Sequence, residues 1–216
     1  MRGNILKVIV LASQKGGAGK TTLCGHLGVQ AALTGNKVAL VDTDPQGSLA
    51  EWWNVRESEN PSFATASIQS LASDIEQLRK AGFDYVLIDT PPAVTAIIKA
   101  VVDLADLVVI PTRPSPHDLR AVGKTVDIVN ECSKRMVFVV NGAANRARIT
   151  AEAAIALSQH GAVSPTVVYQ RTDFASSMID GRTAQEIDPQ GKSSNEIAAL
   201  WHYVNTLLRH IEKARK

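Results

Sequence analysis

The chain has 216 residues, 45% of them hydrophobic, and a net charge of +2. That length and apolar share suffice for a full core, so a single domain over 1–216 is expected, and near-neutrality excludes binding to nucleic acid through diffuse charge. Two cysteines are too few for a disulfide scaffold or a thiolate zinc site, no apolar run approaches the ~20 residues of a membrane span, and Met1-Arg2-Gly3-Asn4 carries no signal-peptide pattern, so a reducing cytoplasm is the expected setting.

In order, the chain alternates short β-rich runs with helical ones. A strand over 8–11 leads through Gln14-Lys15-Gly16-Gly17-Ala18-Gly19-Lys20-Thr21-Thr22 into a helix over 23–33, where Leu23, Leu27 and Ala31 recur at helical spacing and Gly35-Asn36 marks the stop. A strand over 37–41 ends in Asp42-Thr43-Asp44-Pro45-Gln46-Gly47. A polar segment with Trp52 and Trp53, a short strand over 63–66 and a helix marked by Leu71, Ile75 and Leu78 follow. A buried strand over 85–88 runs into Asp89-Thr90-Pro91-Pro92. Next come a helix near 95–104, a strand over 107–110, a proline-rich loop over 111–116 and a helix near 119–132. A strand over 137–140 ends at Asn141, and a helix near 150–160 and a strand over 166–169 succeed it. An irregular region and a last helix from about 195 close the chain. This alternation, with near-continuous Val/Ile/Leu strands, specifies an α/β fold: a mostly parallel central sheet with helices on both faces.

The loop at 14–22 carries the first chemistry. Glycines let successive backbone N–H groups approach one anion, and the helix behind them adds its unpaired N–H groups and dipole. Lys20 is placed to hold β- and γ-phosphate oxygens, and the Thr21 hydroxyl to ligate Mg²⁺. Ligands of such sheets sit beyond the carboxyl ends of the strands, which directs attention to Asp89, Asp42 and Asp44. Asp89, ahead of two prolines, fits a carboxylate holding the magnesium shell through water. Asp42 and Asp44 are suited to positioning water or reaching magnesium, or alternatively to capping the next helix.

The loop is the deviant form of the Walker A motif, with Lys15 as its extra lysine. Together with Asp42-x-Asp44-Pro45-Gln46-Gly47 and Asp89-x-Pro91-Pro92 it resembles the ParA/MinD family of ATPases, most of all the short ParA partition proteins without an N-terminal helix-turn-helix domain. The likeness continues through 111–119 and Asp188-Pro189 into the final helix. It implies a P-loop NTPase fold, ATP and Mg²⁺ as ligands, and slow ATP hydrolysis by a homodimer formed on ATP. Lys15 would reach the partner subunit's nucleotide, Asp44 would orient the attacking water, and Asn141 would read adenine. Arg171 would approach the nucleotide from the later loop. The resemblance further implies nonspecific DNA binding on the nucleoid and a ParB-like or cargo-adaptor partner that stimulates hydrolysis. Its use would be plasmid or chromosome segregation or the positioning of a protein assembly, without operator-specific repression. Cys24 and Cys132 do not sit where nitrogenase iron-protein relatives hold a shared cluster.

The last helix carries an apolar stripe of Ile197, Leu200, Trp201, Val204, Leu207, Leu208 and Ile211, and Ser193-x-x-Glu196 reads as a capping box. Packing on the sheet is the expectation; the other reading is a MinD-like amphipathic membrane anchor. Basic residues gather late, at Lys192, Arg209, Lys213, Arg215 and Lys216. Lys192 falls where related proteins carry a DNA-contacting arginine, and with Arg209 and Lys213 it makes the expected DNA contacts.

Overall fold

The computed structural model describes residues 5–92 and 95–214. Its elements run β1 (Lys7–Leu11), α1 (Lys20–Leu33), β2 (Val38–Asp42), α2 (Ser48–Asn54), β3 (Ser62–Thr65), α3 (Leu71–Lys80), β4 (Tyr85–Asp89), α4 (Thr95–Val102), β5 (Leu107–Thr112), α5 (Pro116–Glu131), β6 (Met136–Ala143), α6 (Arg148–Ser158), β7 (Ala162–Val163), β8 (Val168–Tyr169), α7 (Thr172–Ser177), α8 (Ala184–Ile187) and α9 (Lys192–Ala214). The strands lie in the order β3-β2-β4-β1-β5-β6-β7, with β8 beside β6, and every described pairing is parallel.

The period of two along each strand divides the core between the two faces. Ile9, Leu11, Leu40, Leu87, Val109 and Val139 point to the face covered by α1 and α9. Val8, Val10, Val41, Ile88, Ile110 and Val140 point to the other, covered by α3, α4 and α5. With both faces dry, the central strands β2, β4 and β5 have no polar side to show, which is why those runs are almost continuously apolar, whereas the edge strand β3 is exposed. The stripe on α9 is spent on the first of these faces: Ile197, Leu200, Trp201, Val204, Leu208 and Ile211 are buried in it, with Leu207 half-buried.

Three local expectations are corrected. The segment over 111–116 is not all loop, because β5 continues through Pro111 and Thr112. The Val108 N–H donates to Arg135 on the β6 side, so by alternation the position of Pro111 faces β1, whose pairing with β5 has already ended at Leu11–Val109. A missing N–H there costs nothing. The expected strand over 166–169 is only the two-residue β8 at its end, and a further two-residue strand, β7, precedes it over 162–163. Finally, α9 begins at Lys192, so Ser193 lies inside it and the capping box with Glu196 does not form. The Ser193 hydroxyl donates to Asp173 Oδ2 at 2.6 Å, and Glu196 takes the Tyr169 N–H and the Arg171 guanidinium. The same sequence grammar is used one element earlier, where Glu186 Oε2 accepts the Thr183 N–H at 2.8 Å.

Candidate nucleotide site

The strand ends are level where the site lies. In register, Leu11 of β1 and Asp42 of β2 both face Asp89 of β4. From β1 the chain passes through the glycine loop to the first turn of α1. Gly17 (φ 73°) and Gly19 (φ 94°) hold left-handed backbone that a side chain would strain. A Cβ at Gly19 would in addition sit 2.2 Å from Asn141 Nδ2. That amide donates to Ala18 O at 2.7 Å, so β6 holds the loop in place. No side chain caps the N-terminus of α1, which leaves its first N–H groups to an anion.

Beneath the loop, Lys20 is buried. Burial pulls its ammonium below the usual lysine range, against the attraction of Asp89 and Asp44. The Thr21 hydroxyl donates to Asp89 Oδ2 at 2.5 Å. Asp89 Oδ1 is buried with no hydrogen-bond partner among the described residues. Burial raises the Asp89 carboxyl to about 7, opposed by the Thr21 hydrogen bond and the Lys20 charge. An orphaned carboxylate oxygen beside a threonine hydroxyl suits a hard divalent cation. Among the described residues no three His, Cys, Asp or Glu side chains group as metal ligands. Mg²⁺ characteristically needs only one or two carboxylates, with phosphate oxygens and waters supplying the rest.

The two aspartates that end β2 have separate tasks. Asp42 is buried and accepts three backbone N–H groups, from Asp44 at 2.9 Å and from Leu49 and Ala50 at 3.1 Å. It closes the turn and caps α2. Asp44 is half-buried, accepts the Gln46 N–H at 3.0 Å, and lines a cavity of about 740 Å³ with Ile68, Ala96 and Ile97. A second cleft of about 620 Å³ opens over the phosphate loop. Gly17, Gly19, Lys20, Thr21 and Thr22 line it together with Glu51, Trp52 and Val55, Arg113 beyond the end of β5, and Met178 and Ile179. Lys15 and Gly16 are exposed and do not line this cleft.

The structure therefore brings Gly17, Ala18, Gly19, Lys20, Thr21, Thr22, Asp44, Asp89 and Asn141 to one end of the sheet. Arg171 is elsewhere engaged: its Nε and Nη2 bond Glu196 Oε1 at 2.9 and 2.5 Å. The expected DNA contacts are not brought together. Lys192 and Arg209 lie 17 residues apart on one helix, about 25 Å along its axis. Lys7 pairs with Glu212 at 3.7 Å, which puts the end of α9 carrying Arg209 and Lys213 beside the amino ends of the strands. Arg215 and Lys216 lie outside the described residues. Sequence reasoning missed Arg113, although a cation one residue past a buried strand's carboxyl end is the signal for it. It also missed Trp52, Met178 and Ile179, which reach the cleft from segments with no periodicity. Among the described residues no helix is long and apolar enough to cross a membrane.

A family model described as the CobQ/CobB/MinD/ParA nucleotide-binding domain matches residues 9–184. The chain is 28% identical over 209 residues to maintenance of carboxysome distribution protein A of Halothiobacillus neapolitanus, covering 90% of this chain and 94% of that protein. The protein of the same name from Gloeobacter kilaueensis is 41% identical over 122 residues, 56% of this chain and 55% of its own length. Among solved structures, the MinC:MinD complex of Aquifex aeolicus superposes with a TM-score of 0.78 at 18% identity, covering 93% of this chain and 96% of that one. The ATP complex of McdA from Cyanothece gives 0.73 at 19% identity, over 98% and 97%.

Proposed function

Because the chain belongs to the CobQ/CobB/MinD/ParA nucleotide-binding family, we propose that it is a ParA-like partition or positioning ATPase, which dimerises on Mg²⁺-ATP and is released by hydrolysis. The observation that carries this reading is the Thr21–Asp89 hydrogen bond with its orphaned Asp89 oxygen, set under a glycine loop whose N–H groups have no side-chain cap. Thr21 and Asp89 would hold Mg²⁺, which neutralises charge on the phosphates as they part. Lys20 binds the terminal phosphates in cis. Asp44, free of the capping duty that Asp42 performs, orients the water that attacks the γ-phosphate. Lys15, exposed and outside its own cleft, neutralises the nucleotide of the partner subunit, so ATP holds the interface and loss of the γ-phosphate opens it.

Relatives named for carboxysome distribution and for chromosome partitioning support the use of that cycle to place a cargo, with the ATP dimer on nonspecific DNA and a ParB-like or adaptor partner stimulating hydrolysis. The setting is then the nucleoid. The apolar face of α9 is buried in the core, so this helix does not supply a membrane-anchoring face. Light scattering on size-exclusion peaks, together with phosphate release, tests the reading. Wild type should dimerise with ATP and not with ADP, Lys15→Ala should bind ATP but stay monomeric, and Lys20→Ala should bind neither nucleotide. ATP-bound Lys15→Ala dimerising as well as wild type would remove the interfacial role.

A further inference from the structure

We propose that Arg113 is a second cation of the nucleotide site, binding the α-phosphate end of the nucleotide, the part that ATP and ADP share. The proposal rests on reading the cleft above the glycine loop as the nucleotide site.

The backbone of Arg113 is fixed from both sides. Pro114 after it disfavours helical backbone at 113, and the Ser115 N–H donates to Arg113 O at 2.8 Å. Ser115 in turn caps α5, its Oγ accepting the Asp118 N–H at 3.1 Å. The side chain then runs over the end of β6. Its Nε and Cγ lie 3.6 and 3.7 Å from the place a Cβ would take at Gly142, whose φ is +64°. This is the residue after Asn141, which holds the loop through Ala18. From there Arg113 enters the lining of the cleft with Gly17, Gly19 and Lys20, while Glu51 of α2 is the carboxylate in the same lining.

Five other arginines are held by a carboxylate: Arg56 by Glu186, Arg79 by Glu76, Arg148 by Glu152, Arg171 by Glu196 and Arg182 by Asp180. Arg113 has neither an ion pair nor a side-chain hydrogen bond among the described residues, and it is exposed. A guanidinium with its stem laid along a strand end and its fork unengaged is arranged to receive an oxyanion from the cleft, with two parallel N–H donors.

Sheet order decides which phosphate. The glycine loop leaves β1. Asp89 and Asp44, the metal and water side, lie toward β4 and β2, whereas Arg113 lies past the end of β5, on the opposite side of β1. A nucleotide threading the loop with its γ-phosphate toward Asp89 and Asp44 therefore presents its α-phosphate to Arg113. The contact does not report the hydrolysis state.

Calorimetric titration of ADP and of a nonhydrolysable ATP analogue, each with Mg²⁺, tests this on wild type, Arg113→Ala and Arg113→Lys. A charged hydrogen bond at this strength predicts that Arg113→Ala weakens both nucleotides about ten- to a hundredfold and to the same extent. Arg113→Lys should recover part of the loss, since a point cation still reaches a phosphate. Unchanged melting of the nucleotide-free variants would show that the fold is intact, and a variant that melts early is replaced by Arg113→Gln in the same comparison. Wild-type affinity in Arg113→Ala overturns the proposal, as does a loss confined to the ATP analogue. If wild type bound neither nucleotide while folded, the reading of the cleft itself would fall.

Discussion

At the scale of single residues, the site is organised by which polar atoms are satisfied and which are not. Asp42 has its lone pairs filled by three backbone N–H groups, and Asp89 has one oxygen left over. The residue pattern alone could pair the aspartates ending β2 but not divide their work, because capping depends on where α2 returns; only the family resemblance singled out Asp44. The division predicts that Asp44→Ala binds ATP and dimerises but hydrolyses slowly, whereas Asp42→Ala loses stability by releasing the turn. Single-turnover hydrolysis set beside urea unfolding separates the two, and wild-type hydrolysis in Asp44→Ala would remove it from the mechanism. Gly19→Ala, strained at φ 94° and driven into Asn141, should cost nucleotide affinity, measured by the same titration.

Two buried titratable groups give opposite pH dependences. His26 of α1 is fully buried, its Nε2 faces the Ala184 N–H at 3.3 Å and its Nδ1 faces Thr22 O at 2.8 Å, so the ring is neutral with the proton on Nδ1. Burial lowers it to about 4 from 6.5. The unfolded chain then binds the extra proton between those values, and this contribution to stability rises with pH across about 4 to 6.5. Asp89, raised from 3.8 to about 7, does the reverse: the native state holds the extra proton, and its contribution falls as pH rises through that window. The two slopes, each at most about 1.4 kcal/mol per pH unit, oppose each other below 6.5. In urea unfolding without Mg²⁺ or nucleotide, the gain from Asp89→Asn over wild type should therefore grow from pH 4.5 to 7.5. A constant difference would mean that Asp89 is already ionised in the empty site.

At the scale of elements, what was legible followed burial. Strands buried on both faces are long apolar runs and α9 carries an apolar stripe of period 3.6, so both types stood out; α1, buried nearly all round, was marked by the glycine loop before it and Gly35-Asn36 after it. The segment over 172–187 did not, because α7 and α8 are four to six residues long and are held by distant groups. His26 meets Ala184 and Phe174, Trp52 Nε1 donates to Arg182 O at 3.1 Å, and Arg56 bonds both oxygens of Glu186 at 2.8 and 3.1 Å. No local propensity encodes such contacts. The apolar stripe of α9 left packing and membrane association open, and the burial of Leu200 and Val204 decides for packing. Leu200→Ala should accordingly cost about 2–5 kcal/mol in urea unfolding, and Leu207→Ala, half-buried, clearly less. Equal small costs would mean that α9 is loosely attached.

At the scale of the whole molecule, a residue's address on the fold matters more than its place in the chain. Lys192, Arg209 and Lys213 look like one late basic cluster in sequence, yet α9 carries them to opposite ends of the sheet. The Lys192 end adjoins β8, through the Tyr169 N–H bonded to Glu196, and β8 pairs with the carboxyl end of β6 at Asn141. The Arg209 end lies beside Lys7 and Tyr85, at the start of β1 and β4. If DNA binding is assembled by the ATP dimer, the cation near the nucleotide end is the one whose contribution should depend on ATP. With one subunit near neutrality, affinity must come from a few phosphate contacts doubled by dimerisation, so the salt dependence reports their number at about −0.9 in log K per phosphate. Lys192→Ala, losing one contact per subunit, should flatten the slope of the ATP state by roughly 1.8 and leave the ADP state unchanged. Arg209→Ala combined with Lys213→Ala should leave the ATP-dependent part intact. Surface-capture titrations on two unrelated duplexes across a salt series check this. Equal binding with ATP and ADP would rule out assembly in the dimer, and a larger ATP-specific loss at Arg209 and Lys213 than at Lys192 would put the DNA at the other end of the molecule.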